Sequence, residues 1–164
     1  MSDLTRQSLR KTFGSFATGV TVVTTASREG DHGMTLNAFM SVSLEPPLVS
    51  ISLARDSRML RLLRRSRAYV VNVLRHDMEP LAMHFSGRND PKLRDVLVQE
   101  NGCPVIPGAV ARIFAHVESE VEAGDHAIII GRVSAVHREP SASPLLFCYG
   151  RFHQISNNDH ADGD

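Results

Sequence analysis

The segment Arg55–Arg58 combines residue types that can bind an anion at the start of a helix. Asp56 or Ser57 can cap the predicted following helix, because a side-chain oxygen there accepts a backbone N–H of the first turn. The helix N-terminus offers free N–H groups and a favourable dipole to a phosphate, and Arg58 can add a charge-assisted hydrogen bond. Asp56 would repel the phosphate unless its carboxylate turns away. The same residues would also form a plain helix cap, so the pattern leaves both interpretations open.

His126 follows Gly124 and Asp125 at the start of a predicted strand. Its imidazole changes charge near neutral pH, and Asp125 is placed to orient the ring. Considered alone, a histidine at such a position is more often an ordinary turn residue. The eight histidines form no HExxH, no His-x-His and no Cys/His grouping at zinc spacing, so no metal site is predicted.

A third candidate region lies on a strand predicted over residues 34–44. Thr35, Asn37 and Ala38 are small or amide-bearing residues in its first half. Ser41 and Ser43 alternate with Val42, so the two hydroxyls are expected to point to one face of the strand. They could bind a polar ligand or simply form a solvated outer face, and alternation alone does not decide between these.

Composition excludes several broad classes of function. The 164 residues suit one domain, expected over residues 1–155, and the formal net charge is zero, so neither nucleic acid nor membrane is an expected partner. No window approaches the ~20 apolar residues that cross a bilayer, and residues 1–11 lack the apolar core of a signal peptide. Two distant cysteines, Cys103 and Cys148, are expected to be reduced thiols, so a cytoplasmic location is the default.

The elements that position these residues are mostly strands. Residues 88–105 read as loop and short helix, and the polar residues 156–164 as a disordered tail. Short antiparallel strands with inserted helices predict a mainly β protein built on a barrel. The alternative, a doubly wound sheet, is disfavoured because no GxGxxG follows the first strand. The predicted helices are 4–16, 57–67 and 78–85, and the strands are 20–25, 34–44, 48–54, 69–74, 112–122, 127–137 and 145–155.

The stretch 33–49, GMTLNAFMSVSLEPPLV, resembles the signature of the flavin reductase family. So, in the family's order, do the segments FATGVTVVTT (16–25), YVVNVL (69–74), AGDH (123–126) and PLLFCYGRF (144–152). These proteins are the reductase components of two-component flavin monooxygenases and have a split β-barrel that binds FMN. Five motifs in order cover nearly the whole chain, so the resemblance is specific.

The resemblance implies a role for each candidate residue. Small residues and the Asn37 amide would let the flavin ring lie close to backbone, with the neighbouring hydroxyls near its ribityl chain. His126 would face the nicotinamide, and Tyr149 and Arg151 would lie near the dinucleotide. The implied flavin contacts are Thr35, Leu36, Asn37, Ala38, Ser41, Val42 and Ser43 for the ring and chain, Arg55, Asp56, Ser57 and Arg58 for the phosphate, and Phe85, Arg88 and Asn89 after a helix.

The implied activity is hydride transfer from NADH or NADPH to FMN or FAD. The resemblance further implies a homodimer with the flavin near the subunit interface, and a separate flavin-dependent monooxygenase that uses the reduced flavin. Two alternatives remain at this point. One is a split-barrel protein with tightly bound FMN that acts as an oxidase or electron carrier, and the other is a non-catalytic flavin-binding module.

Overall fold

A computed structural model describes residues 4–155 of the chain. Strands dominate it, with three α-helices and a short 3-10 helix between them. The elements, in chain order, are α1 (Arg6–Phe13), β1 (Thr18–Gly19), β2 (Thr21–Thr25), β3 (His32–Leu36), β4 (Phe39–Leu44), β5 (Pro47–Ala54), α2 (Arg58–Ser66), β6 (Ala68–Val73), α3 (Glu79–Phe85), the 3-10 helix (Pro91–Leu93), β7 (Val98–Glu100), β8 (Cys103–Val105), β9 (Ala111–Ala123), β10 (His126–Arg138), β11 (Leu145–Cys148) and β12 (Arg151–Gln154).

Seven strands form one antiparallel sheet in the order β3-β2-β6-β9-β10-β5-β4. Its main core contains fully buried side chains from the middle strands, among them Ile51, Tyr69 and Ile129. Helix α2 adds Met59, Leu60 and Leu63 to this core, because its apolar residues recur on one face. A mainly β protein with inserted helices was predicted, and the structure confirms it.

A second core lies under α3 and a separate sheet of β1, β11 and β12. Val22 and Leu145 from the strands, and Val20 between β1 and β2, meet Met78 at the N-cap and Ala82 in the middle of the helix. This core fixes α3 beside β3, and that placement forms one of the clefts described below.

The single strand predicted over residues 34–44 is wrong. The structure divides it into β3, which pairs with β2, and β4, which pairs with β5 at the opposite end of the strand order. One straight strand cannot pair with both neighbours, so the chain changes direction at Asn37 and Ala38. Periodicity carries no information about which partner a strand chooses.

The final strand predicted over residues 145–155 is also divided in the structure. β11 and β12 form a hairpin whose turn residues, Tyr149 and Gly150, have φ of 50° and 75°. Two positive φ values match the tight turns that suit a hairpin twist, but a tyrosine seldom adopts this conformation. Tyr149 and Gly150 therefore do not predict a turn at this position.

The other boundaries agree with expectation to within a few residues. Ser57 caps α2 and Arg67 ends it in the left-handed conformation, while Pro80 lies in the first turn of α3.

The hairpin of β7 and β8 lies in the region predicted as loop and short helix and was missed. The predicted disordered tail lies outside the described residues. Within residues 4–155, no helix is long and apolar enough to span a membrane.

Candidate active site

Ser57 is the N-cap of α2, and the alternative cap, Asp56, is not. The Ser57 Oγ accepts a hydrogen bond from the Leu60 N–H at 3.2 Å. The carbonyl of Asp56 accepts one from Arg61 Nη1 at 2.6 Å, while the Asp56 side chain is exposed. With the Leu60 N–H bound to the cap, the N–H groups of Arg58 and Met59 in the first helical turn have no acceptor within the helix and remain able to bind an anion.

The two arginines of this segment are each paired with a carboxylate from a different element. Arg55 Nη2 lies 3.5 Å from Glu122 Oε1 at the end of β9. Arg58 Nη2 lies 3.2 Å from Glu29 Oε2 in the turn after β2. Both guanidinium side chains are about half exposed, at 52% and 51%, so each remains accessible to a ligand.

The fold brings His126 next to this segment. His126 pairs with Ala54 across β10 and β5, and the N–H of Arg55 donates to the carbonyl of Asp125 at 3.0 Å. His126 Nδ1 lies 2.7 Å from Asp125 Oδ1, and this hydrogen bond lowers the pKa of the Asp125 carboxyl. The Asp125 carboxylate therefore fixes one ring nitrogen and leaves Nε2 as the atom for another partner.

A cleft of about 620 Å³ lies between the end of β3, helix α3 and the β11–β12 turn. The hydroxyl of Thr35 donates to the carbonyl of Ala82 at 2.7 Å and ties β3 to α3. Asn37 is exposed at the cleft, whereas Leu36 is mostly buried in the main core. Five predicted site residues line this cleft, namely Thr35, Leu36, Asn37, Arg88 and Arg151.

Beside this cleft, position 33 requires a glycine because a side chain packs closely against its Cα, and not because of its backbone angle. A Cβ atom at residue 33 would lie 2.6 Å from two ring atoms of Phe85. The Phe85 ring packs against the second core, and it contacts the edge of the His84 ring. Phe85 is therefore accounted for by packing, and it does not line the cleft.

The position of Ala38 relates the cleft to the segment that contains His126. The Ala38 carbonyl accepts a hydrogen bond from the Ser52 N–H at 3.0 Å, and Ser52 pairs with Ile128 on its other side. Neighbouring strands lie about 4.8 Å apart, so Ala38 is about 10 Å from β10 at a point two residues from His126. Ala38, which follows the cleft residue Asn37, thus lies within a few residues of the Ala54–His126 pair.

The expectation that Ser41 and Ser43 face one side is wrong. A register shift places Ser41 opposite Val49 and Ser43 opposite Leu48, with Val42 as the extra residue. Since paired residues share a face and consecutive residues do not, the shift separates the two hydroxyls. β4 is an edge strand of the sheet, and both Ser41 and Val42 are exposed on it.

The remaining predicted residues lie near the cleft without lining it. Asn89 is exposed beyond α3. Tyr149 is 70% exposed at the hairpin turn, where its N–H donates to the carbonyl of Gly14 at 2.7 Å.

Sequence reasoning missed the carboxylates Glu29 and Glu122, and no local pattern marks them as partners of the arginines. It also missed several residues of the cleft wall, among them Glu79, Met83, Phe147 and Phe152.

A larger cleft of about 800 Å³ lies elsewhere, beside the C-terminal half of α2. Arg65, Ser66 and Cys103 line it, together with the turn after β2. None of the predicted site residues does. Within the described part of the chain, no group of His, Cys, Asp and Glu side chains could hold a metal ion.

Comparisons with known proteins agree with this arrangement. Residues 13–156 match the family described as flavin reductase like domain. An NADH-dependent flavin reductase of a Rhodococcus species is 38% identical over 156 residues, which cover 93% of this chain and 88% of the relative. The reductase component of 4-hydroxyphenylacetate 3-monooxygenase from Thermus thermophilus is 34% identical, covering 87% of this chain and 91% of its own. The solved structure of flavin reductase PheA2 superposes with a TM-score of 0.89 at 42% identity, over 94% of this chain and all of that one. The predicted family resemblance and split-barrel fold are thereby confirmed.

Proposed function

Since this chain belongs to the flavin reductase family, we propose that it is an NADH-dependent flavin reductase that acts on FMN or FAD. The observation that carries the proposal is the meeting of Arg55–Arg58 with Asp125–His126, two residues along β5 from the point where Ser52 bonds to Ala38. Segments of three motifs that are distant in sequence are thereby adjacent on neighbouring strands, which supports a shared binding surface. Relatives named as NADH-dependent flavin reductases support the choice of NADH.

The residues of this surface suit a flavin. Exposed Asn37 offers an amide to the polar edge of the ring system, and the adjoining cleft of about 620 Å³ is open beside it. Arg55 and Arg58 lie at the start of α2 with the N–H groups of Arg58 and Met59, which the helix leaves without an acceptor, and would hold a phosphate. When both partners are bound, the chemistry is transfer of a hydride from the nicotinamide ring to the flavin ring.

The protein's part is to orient the two rings. His126, held by Asp125, would donate or accept a hydrogen bond through Nε2 and so position the nicotinamide. A hydride transfer needs ring alignment at close distance rather than a dedicated proton-transfer residue. This agrees with the site, where no nucleophile paired with a general base is found among the described residues.

Two further parts of the proposal concern partners. A homodimer is supported by the apolar side chains on edge strand β4, where Met40 is 59% exposed and Leu44 is 94% exposed. An exposed edge strand with apolar side chains offers a surface on which another chain can pair and pack. A separate monooxygenase that receives the reduced flavin is supported by the relative named as the reductase component of a monooxygenase. A cytoplasmic location is part of the proposal, since NADH is supplied inside cells.

The test is the loss of NADH absorbance in the presence of FMN, FAD or riboflavin. We expect oxidation of NADH that depends on added flavin and saturates with it. Absence of turnover with all three flavins would contradict the proposal, and a tightly yellow protein that does not reduce added flavin would favour the alternatives. Light scattering during gel filtration checks the dimer, which should have twice the mass of one chain.

His126→Ala tests the role of the histidine. We expect the rate of nicotinamide-dependent reduction to fall about tenfold or more, because misplacing a reacting ring by a small distance is costly, while flavin affinity changes little. Stopped-flow reduction and flavin titration measure the two separately. Equal loss of both, or loss of neither, would contradict the assignment.

A further inference from the structure

The two arginines that would hold the flavin phosphate already have anionic partners within the protein. Glu122 reaches Arg55 from the end of β9, and Glu29 reaches Arg58 from the turn after β2. Both carboxylates are exposed, at 68% and 66%, so neither is held in place by burial. A phosphate that approaches these guanidinium groups therefore meets two carboxylates at the same positions.

A carboxylate and a phosphate cannot share one guanidinium group at no cost. A phosphate monoester carries a charge of about −1.5 to −2 at neutral pH, and like charges a few ångströms apart repel each other. The phosphate must therefore displace Glu122 from Arg55 and Glu29 from Arg58, or bind against their repulsion. Either way, part of the attraction of the arginines for the flavin is cancelled.

We propose that Glu29 and Glu122 set the flavin affinity by competing with the flavin phosphate for Arg58 and Arg55. This rests on the proposed function and specifies how its phosphate site is regulated. A reductase that passes flavin to a second protein must release it, and the two carboxylates keep the flavin exchangeable. They are affinity-setting residues and need no contact with the reacting rings.

Strand β9 offers a matched control. Glu118 carries the same charge on the same strand, and its Oε1 pairs with Arg132 Nη2 at 2.6 Å. It lies four residues from Glu122, about 13 Å along the strand. Charges at that separation are largely screened at physiological ionic strength, where the Debye length is about 8 Å. Removing the Glu118 charge therefore reports any general effect of one fewer negative charge.

The experiment measures dissociation constants for FMN and for riboflavin, which has no phosphate, in the full-length chain. We expect Glu29→Gln and Glu122→Gln each to tighten FMN binding about twofold to fivefold, as befits exposed ion pairs, and the double variant to tighten it further. The FMN dissociation rate should slow by a similar factor. Riboflavin binding should not change in any variant, and Glu118→Gln should bind both ligands as the wild type does. Thermal unfolding of each variant checks that it is folded.

Unchanged or weaker FMN binding in folded Glu29→Gln and Glu122→Gln would overturn the proposal, and so would equal tightening of riboflavin. Failure of the proposed function gives a different result. In that case the wild-type chain itself would neither bind FMN nor oxidise NADH with it. If the wild type does both and the glutamine variants match it, only the competition by the two carboxylates is wrong.

Discussion

The two regions assigned to the flavin are built in different ways. The cleft region, which we define as Gly33–Asn37 with helix α3, is held by packing and by a hydrogen bond from Thr35 to the Ala82 carbonyl. The phosphate segment, Arg55–Arg58, is held by a helix cap and by ion pairs whose side chains are about half exposed or more. One region is part of the core, and the other is a charged surface at its edge.

This difference separates stability from affinity. Forcing extra atoms into a packed site typically costs about 1–3 kcal/mol of folding free energy. Exposed ion pairs contribute at most about 1 kcal/mol each. Changes to the packed residues of the cleft region should therefore act first on the fold and through it on the ligand, whereas changes to exposed Asn37 and to the charges of the phosphate segment should act mainly on the ligand.

Gly33→Ala should have the largest effect on stability. The new Cβ would lie 2.6 Å from the Phe85 ring, so that ring, or α3 with it, must move away from β3. We expect the free energy of unfolding to fall by about 1–3 kcal/mol, measured by urea denaturation, and flavin binding to weaken with it.

The cause can be checked by a double variant, Gly33→Ala with Phe85→Leu. The smaller side chain gives the new methyl group room, so the double variant should lose less stability than the sum of the two single losses. Additive losses would show that the Phe85 ring is not the reason for glycine at position 33.

Ser57→Ala should have an intermediate effect and tests both properties at once. Loss of the hydrogen bond from the Leu60 N–H should cost about 1 kcal/mol of stability. The same change should weaken FMN and FAD more than riboflavin, because only the first two carry a phosphate. If all three flavins weaken by one factor, the phosphate does not bind at this helix end.

His32→Gln should have the smallest effect. His32 directly precedes the cleft region in sequence and lies near enough to Arg58 of the phosphate segment to be affected by its charge. His32 lies on β3, and burial together with the charge of Arg58 lowers its pKa below the ordinary 6.5. The unfolded chain then binds more protons than the folded chain just below pH 6.5, so stability falls as the pH drops through that window.

The measurement is the melting temperature at pH 7.5 and at pH 5.5. The wild type should lose more stability on acidification than His32→Gln does, because the variant lacks the titrating group. An equal loss in both proteins would show that His32 is not a source of the pH dependence.

Much of this comparison could be predicted from the sequence. Ser57 as a cap and α2 as an amphipathic helix follow from local patterns, because caps and periodicity depend on neighbours in sequence. The ordered family motifs identified the fold and predicted the site segments. The sequence also shows that Gly33 belongs to the first motif, but it does not show that Gly33 contacts the ring of Phe85.

What could not be predicted depends on contacts between distant residues. The break at Asn37 follows from strand pairing at opposite ends of the sheet, and the bulge at Val42 from a register shift, neither of which leaves a mark in alternation. The pairing of Arg55 with Glu122 and of Arg58 with Glu29 joins separate elements. Such pairs become visible only when the chain is folded.

The most direct test of this account compares FMN and riboflavin binding in the wild type, Asn37→Ala and Arg55→Gln. If the cleft region holds the ring and the phosphate segment holds the phosphate, Asn37→Ala weakens both ligands by the same factor and Arg55→Gln weakens FMN alone. Equal weakening of riboflavin by Arg55→Gln, or unchanged binding of both ligands in Asn37→Ala, would contradict the division of the flavin site between these two regions.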